Sequence, residues 1–382
     1  AAMQSQPPSL DWYAGLHAFF LGEALAYGGA LDEAYSLAAR EYRRAVAEGS
    51  SEAQGWFDWQ LAKMVGERGG VATAARHARE GAVVFQRLGR PQFESYCLTN
   101  LALALALAGQ ADAAAQALTE LDALRIPPNV FMTVETLRAR GWTAAAAGHT
   151  GEALGYLREA ASLGERIGDR VGEATALHDI ARLGQPAEVL PGLERLTGLV
   201  EGRLVTARLA HATALDRGDA GALKDISAAF EAMGAGLLAA EAAAQAAAIQ
   251  RGRGGSRPGY LNEERARRLA ALGEGIATPA LLAIGLTPPG GLPEVTDGLR
   301  TKAGKRGVGG SGRRDPSAIT PREADLLRLA AAGMSNRAIA ENLTLSVNTV
   351  RTQFQRLLEK LGAHSKLEAV AVARDRGLIR DS

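Results

Sequence analysis

Through most of this chain a glycine returns every 34–41 residues, five residues ahead of a small or apolar residue. The pairs are Gly29 with Ala34, Gly70 with Ala75, Gly109 with Ala114, Gly148 with Ala153, Gly184 with Val189 and Gly218 with Leu223. An internal period of this size is the mark of a helical solenoid, in which each unit buries its apolar face only by stacking on its neighbours. Between the glycines, apolar residues recur at helical spacing, and residues 10–250 carry no period-two runs of Val, Ile or aromatics. Each unit therefore predicts two antiparallel helices around a turn. In the fourth, Ala144–Ala147 ends one helix and Gly151-Glu152-Ala153-Leu154 opens the next, with Leu154, Leu157 and Leu163 facing the core.

The turn glycine, the small residue after it and a later aromatic (Tyr35, Phe85, Tyr156) resemble tetratricopeptide repeats. Most units run longer than that family's, and its usual Trp and Pro positions are mostly unfilled. An irregular helical bundle is the alternative. Residues 260–285 predict one more helix, capped by Asn262 with Glu263-Glu264 at its positive end. Pro279 then suits the first position of a short helical segment.

Composition changes at Leu286. Residues 286–318 hold eight Gly, four Pro and six Lys or Arg, which predicts a flexible basic linker. Residues 319–382 change character again. Thr320-Pro321-Arg322-Glu323 is a capping box, Ser335 and Ser346 are N-caps, and Ser365-Lys366-Leu367-Glu368 is a second capping box. Four short helices follow from these signals. The expected organisation is a repeat region (1–285), a linker (286–318) and a C-terminal helical domain (319–382), all-α throughout.

The second and third C-terminal helices are joined by Thr344-Leu345-Ser346, the frame of a helix-turn-helix. Val347, Val350, Phe354, Leu357 and Leu361 fall on one stripe of the third helix. Asn348, Arg351, Thr352, Gln355 and Glu359 fall on the other face, with Arg356 at its edge. A long helix with one apolar face and hydrogen-bonding side chains near its start suits the major groove.

Residues 319–379 resemble the DNA-binding domain of the LuxR/GerE family of bacterial transcription factors. The resemblance is carried by Thr320, Arg322-Glu323, Leu329, Ala332-Gly333, Ser335-Asn336, Ile339-Ala340, Leu343, Ser346, Thr349-Val350, Lys360-Leu361-Gly362 and Glu368-Ala369. It implies base-edge contacts from Arg351, Thr352 and Gln355. It implies phosphate contacts from Ser335, Asn336, Asn348, Thr349, Arg356 and Lys360; Lys360 could instead pair with Glu323. It implies a dimer contact through Leu367, Val370, Ala371 and Arg374, hence a homodimer on a pseudo-palindromic double-stranded operator. Arg351, Gln353 and Phe354 depart from the family's commoner residues, which leaves the target sequence open.

Helical repeats ahead of such a domain resemble the MalT-like large regulators, which usually carry an ATP-binding domain. The nearest approach to a phosphate loop here, Gly298 to Arg306, has one residue too many and Arg306 in place of the magnesium-binding Ser or Thr. No cofactor is expected, and the chain reads as a shorter regulator or a piece of a larger one. No catalytic set is legible, so an enzyme is not expected. The repeats are assigned a small-molecule or protein effector and a role in oligomerisation. A scaffold whose C-terminal helices bind protein is the rival reading.

The remaining features are weighed against packing. Trp56-Phe57-Asp58-Trp59 could touch a ligand, but core packing is the simpler account. The single cysteine, Cys97, excludes a disulfide framework, and the six histidines include no i,i+4 pair, so no metal site is expected. No apolar run reaches the ~18 residues of a membrane span, and the start lacks a signal-peptide pattern, which predicts a cytoplasmic protein with no membrane partner. The formal net charge of +1 conceals a division. Residues 1–285 carry 27 basic and 32 acidic side chains, a net of −5; residues 286–382 carry 16 and 10, a net of +6. The basic end is the one that resembles a DNA-binding domain.

Overall fold

The computed structural model describes residues 13–286, except 128, 253 and 255, together with Leu327, Leu329, Ala330, Ile339, Phe354, Leu357 and Lys360. The chain divides into two compact units, 1–296 and 297–382.

The first unit is built of helical pairs. They are α1 and α2 (Tyr13–Gly28, Leu31–Glu48), α3 and α4 (Ser51–Glu67, Val71–Arg87), and α5 and α6 (Pro91–Leu107, Ala111–Ala123). Next come α7 and α8 (Val130–Ala146, Thr150–Ile167), α9 and α10 (Arg170–Arg182, Pro186–Thr197), and α11 and α12 (Arg203–Asp216, Ala220–Ala232). A longer pair, α13 and α14 (Gly236–Gly252, Ser256–Leu272), follows, then the short α15 (Pro279–Leu282). No strand occurs among the described residues.

Every recurring glycine lies at the turn inside a pair. At Gly109 the backbone is left-handed (φ 72°), a conformation that glycine adopts without penalty. Its N–H bonds to the Ala106 carbonyl, and that of Gln110 to the Leu105 carbonyl, both at 2.9 Å. These two bonds close the helix end that would otherwise leave carbonyls unpaired. The same pair of bonds recurs around Gly148 and Gly184. Five residues on, Ala34, Ala114, Ala153, Val189 and Leu223 are all 0 % exposed. In the second pair the pattern shifts by one residue from the sequence expectation. Gly69 takes the left-handed backbone and Ala74 is fully buried, because Gly70 is spent as the N-cap of α4.

The first helices of successive pairs pack side by side, α3 on α5, α5 on α7 and α9 on α11. Alanine makes this possible, since small side chains let helix axes approach closely. Helix α13 is the extreme case, with Leu237–Ala244, Ala246 and Ala247 buried on every side. A helix that is apolar all round belongs in a core.

Asn262 does not cap a helix. Helix α14 begins at Ser256, so Asn262 is interior, and its buried amide donates to Gln250 Oε1 of α13 at 2.9 Å. Pro279 does open α15, behind Thr278.

The array returns to its own beginning. The Leu31 N–H bonds to the Met233 carbonyl at 3.1 Å, and Arg203 Nη2 to the Gly29 carbonyl at 3.0 Å. Beyond α14, the Glu274 N–H reaches the Gly69 carbonyl at 3.1 Å and that of Ala277 the Leu107 carbonyl at 2.8 Å. Glu274 also accepts from the Thr73 N–H at 2.6 Å and hydroxyl at 2.9 Å, and Arg68 pairs with Asp32 beside it. The last pairs are thus hydrogen-bonded to the first three.

In the second unit the seven described residues are all helical. Leu327, Ile339 and Leu357 are fully buried, and Phe354 and Ala330 nearly so. Phe354 and Leu357 belong to the apolar stripe expected of the third C-terminal helix.

Candidate functional site

Two regions carry chemistry. One is the basic C-terminal helical unit; the other is the centre of the repeat unit.

Each first helix turns a polar residue toward that centre. Glu23 of α1, Lys63 of α3, Asn100 of α5, Arg138 of α7, Thr175 of α9 and Arg208 of α11 line one cavity of about 70 Å³. Such a space holds a handful of water molecules. The residues recur at the spacing of the repeats, so stacking the pairs is what gathers them.

Most of these charges are neutralised across helices. Lys63 Nζ donates to Glu23 Oε2 at 2.6 Å and to the Tyr27 hydroxyl at 2.7 Å. Burial opposes the charge on Lys63, yet Glu23, Tyr27 and Glu135 hold its pKa well above the ordinary value. Arg138 donates to Glu135 Oε2 at 2.7 Å and to Asp179 Oδ2 at 2.8 Å. Arg182 donates to Asp179 Oδ1 at 2.6 Å and grips both oxygens of Glu241, at 2.6 and 2.9 Å. Its guanidinium also lies 4.2 Å from the centre of the Trp142 ring. Helices α7, α9 and α13 are joined by this network. Burial again opposes the Arg182 charge, and Glu241 and Asp179 outweigh it.

Deeper, His178 Nε2 and His211 Nδ1 stand 2.8 Å apart, and His211 Nε2 is 2.8 Å from Gln245 Oε1. The Gln245 oxygen accepts from Nε2, so Nδ1 of His211 accepts from His178. Both rings are neutral in this arrangement. Burial is the first cause that lowers the His211 pKa, from 6.5 to about 4. Between those values the unfolded chain binds the proton and the folded chain does not, so stability rises with pH across the window and is lost on acidification. His178, lowered as well, chiefly by burial, adds to the same slope. At about 1.4 kcal/mol per pH unit, His211 alone removes up to about 3 kcal/mol between pH 6.5 and 4. Denaturant unfolding across that range is expected to show a shallower slope in His211→Gln. Equal slopes would refute the assignment.

A third cluster sits on α3 and α4. His77 Nδ1 is 2.7 Å from Asp58 Oδ1 and 3.9 Å from Glu80 Oε2. One ligand atom from each of these residues lies within 4.8 Å of the others, so the three could hold a metal ion. Sequence reasoning missed this trio, because Asp58 meets His77 only when α4 folds back on α3. Trp59 and Phe57 beside it are core residues. Trp59 stacks on Phe19, ring centres 5.1 Å apart, and packs against Trp56 and Tyr96. The aromatic run is repeat packing, and Cys97 is fully buried, its thiol pKa pushed well up by burial.

Of the side chains expected to meet DNA, Lys360 is described: it is helical and half-buried. Arg351, Thr352, Gln355, Ser335, Asn336, Asn348, Thr349 and Arg356 lie outside the described residues, as do Leu367, Val370, Ala371 and Arg374 and nearly all of the expected linker.

Comparison with known proteins separates the two units. Residues 317–373 match the family described as "Bacterial regulatory proteins, luxR family". Over 66 residues the chain is 39% identical to the uncharacterized transcriptional regulatory protein YvfU of Bacillus subtilis, covering 17% of this chain and 33% of the relative. It is 39% identical over 56 residues to the nitrate/nitrite response regulator protein NarL of Escherichia coli, covering 15% and 26%. It is 44% identical over 62 residues to the virulence regulator BvgA of Bordetella pertussis, covering 16% and 30%. The chain thus spans a third or less of the length of these relatives. The fold of a solved Rap protein, complexed with competence and sporulation factor, matches with a TM-score of 0.57 at 13% identity, covering 67% of this chain and 74% of that one. Residues 317–373 are therefore a GerE domain of the luxR type, carried on a chain whose larger unit is a Rap-like array of helical repeats.

Proposed function

We propose that this chain is a sequence-specific DNA-binding transcriptional regulator whose helical repeats receive an effector. The match of residues 317–373 to the luxR family supports the reading most directly. In it Arg351, Thr352 and Gln355 read base edges, since Arg suits guanine, Gln suits adenine and the Thr methyl suits thymine. Ser335, Asn336, Asn348, Thr349, Arg356 and Lys360 hold phosphates and set the register. Leu367, Val370, Ala371 and Arg374 pair two copies on DNA. That places two third helices in successive major grooves about 34 Å apart, over a pseudo-palindromic site. Binding, not catalysis, is the activity of this chain, and the cytoplasm is its compartment. Among the described residues no helix is long and apolar enough to cross a membrane.

The effector reading of the repeats is supported by their polar centre and by their likeness to a fold solved with a bound factor. Binding there would change association between copies and so deliver two DNA-binding domains to one operator.

Selection of operators from genomic DNA with the purified chain tests the reading. Enrichment of a two-fold symmetric motif is expected, and recovery of no motif would reject it. On the selected operator, Arg351→Ala is expected to cost about 1–3 kcal/mol and to relax preference at one base position. Lys360→Ala is expected to weaken all sequences alike and reduce the salt slope by about one. Identical sequence preferences for Arg351→Ala and the parent chain would remove Arg351 from the base-reading set.

A further inference from the structure

We propose that the central cavity of the repeat unit binds a small zwitterion of the amino-acid class, its carboxylate on Arg208 and its ammonium group on Glu67. The proposal rests on the reading of the repeats as an effector-binding region and names the ligand's chemistry.

Two opposite charges in the cavity wall are left over after all the ion pairs are assigned. Arg208 of α11 is 6 % exposed. Its Nη1 donates to Thr175 Oγ1 at 2.8 Å, but among the described residues its buried Nε has no acceptor and no carboxylate pairs with it. Every other buried arginine of the cavity, Arg138 and Arg182, holds two carboxylates. In the same wall Glu67, the last residue of α3, makes no ion pair or hydrogen bond among the described residues, although its charge also acts on Arg138 and Arg182. Burial pulls the Arg208 pKa down, and Glu67 is the foremost charge opposing that pull. The two groups thus feel each other without touching.

A buried guanidinium without a carboxylate is costly and is kept only where something repays it. A molecule bearing both a carboxylate and an ammonium group satisfies the two at once, with charge-assisted hydrogen bonds at each end. Leu103, Leu107 and Leu204 add aliphatic surface to a wall whose other charges, on Lys63, Glu23, Arg138 and Arg182, are already paired, which suits an uncharged ligand side chain. A small aliphatic amino acid fits both halves of that description.

The test uses the full chain, titrated calorimetrically with each free amino acid, with propionate and with propylamine. At least one aliphatic amino acid is expected to bind and to raise the melting temperature, while the acid and the amine alone bind at least about tenfold more weakly. Arg208→Met removes an unpaired buried charge, so the ligand-free variant is expected to melt at or above the parent temperature. Its affinity for the amino acid is expected to fall about a hundredfold. Glu67→Gln, at a less buried position, is expected to lose affinity for amino acids while leaving the fold intact. The proposal is overturned if no amino acid binds, if propionate binds as well as the amino acid, or if Arg208→Met binds unchanged. Binding of selected operator DNA is scored separately on the same samples. DNA binding without amino-acid binding sinks the ligand and leaves the regulator standing; amino-acid binding without DNA binding does the opposite.

Discussion

Replacing Arg182 by Met is expected to lower the stability of the repeat unit by about 3–5 kcal/mol. Among the described residues Arg182 is the sole ion-pair partner of Glu241, which is 1 % exposed and lies in the alanine-rich helix α13. Met keeps much of the aliphatic stem that packs near Trp142 but leaves the buried carboxylate without its counter-charge. Asp179 is affected less, because it keeps Arg138 at 2.8 Å. The cost is therefore assigned to an orphaned Glu241 and not to the general loss of a charge. A double variant separates the two ideas. Arg182→Met with Glu241→Gln removes both charges and is expected to recover a large part of the loss. Chemical denaturation of the parent, both single variants and the double variant measures the coupling. If the double variant is as unstable as the sum of the singles, the pair is not what Arg182 contributes.

Gly202→Ala is expected to cost about 2–4 kcal/mol, for two independent reasons. The residue precedes α11 with φ 107° and ψ 170°, a backbone region that is essentially restricted to glycine. A Cβ there would also lie 2.6 Å from Gly28 Cα and 2.8 Å from the Gly28 carbonyl oxygen. Those atoms belong to the backbone of α1, which cannot swing aside as a side chain can. Gly148→Ala is the matched control. Its backbone is left-handed too (φ 82°), but nothing lies within 4 Å of the added carbon, so about 1 kcal/mol is expected. Equal thermal shifts for the two variants would mean that the approach of α11 to α1 contributes nothing.

The repeat architecture was legible because a left-handed turn leaves a glycine behind it, and a crowded helix crossing leaves an alanine. Both are local requirements with local signatures. Gly70 was displaced by one position because two adjacent glycines serve different ends of the same turn. Asn262 misled for a related reason: a side chain suited to a helix start is equally suited to cross-linking two buried helices. The polar centre was harder to read. Arg138, Asp179, Arg182 and Glu241 lie 3 to 103 positions apart and resemble ordinary surface charges until the pairs are stacked. Aligning the units on their glycines does not expose them either, since the polar residue of the first helix stands six or seven positions before the glycine in the first two pairs and nine or ten in the others. The third C-terminal helix was legible from its apolar stripe, of which Phe354 and Leu357 are buried. The same periodicity puts Asn348, Arg351, Thr352, Gln355 and Glu359 on the opposite face, while their roles toward DNA follow from the family resemblance alone.

The return of α11–α15 onto α1–α5 has a consequence for how this unit can vary. An open stack of repeats can lose or gain a member at either end, because each contacts only its neighbours and stabilities add. A stack joined to its own start has no expendable end. Duplicating or deleting one helical pair would break the Leu31–Met233 and Ala277–Leu107 bonds together and displace every polar residue at the centre. The copy number of the repeat is therefore constrained as tightly as any single side chain. Change in this unit is restricted to substitution and to variation in length within a pair; the pairs begin 33 to 40 residues apart, and the shortest, α9–α10 and α11–α12, are built of helices of 12 to 14 residues.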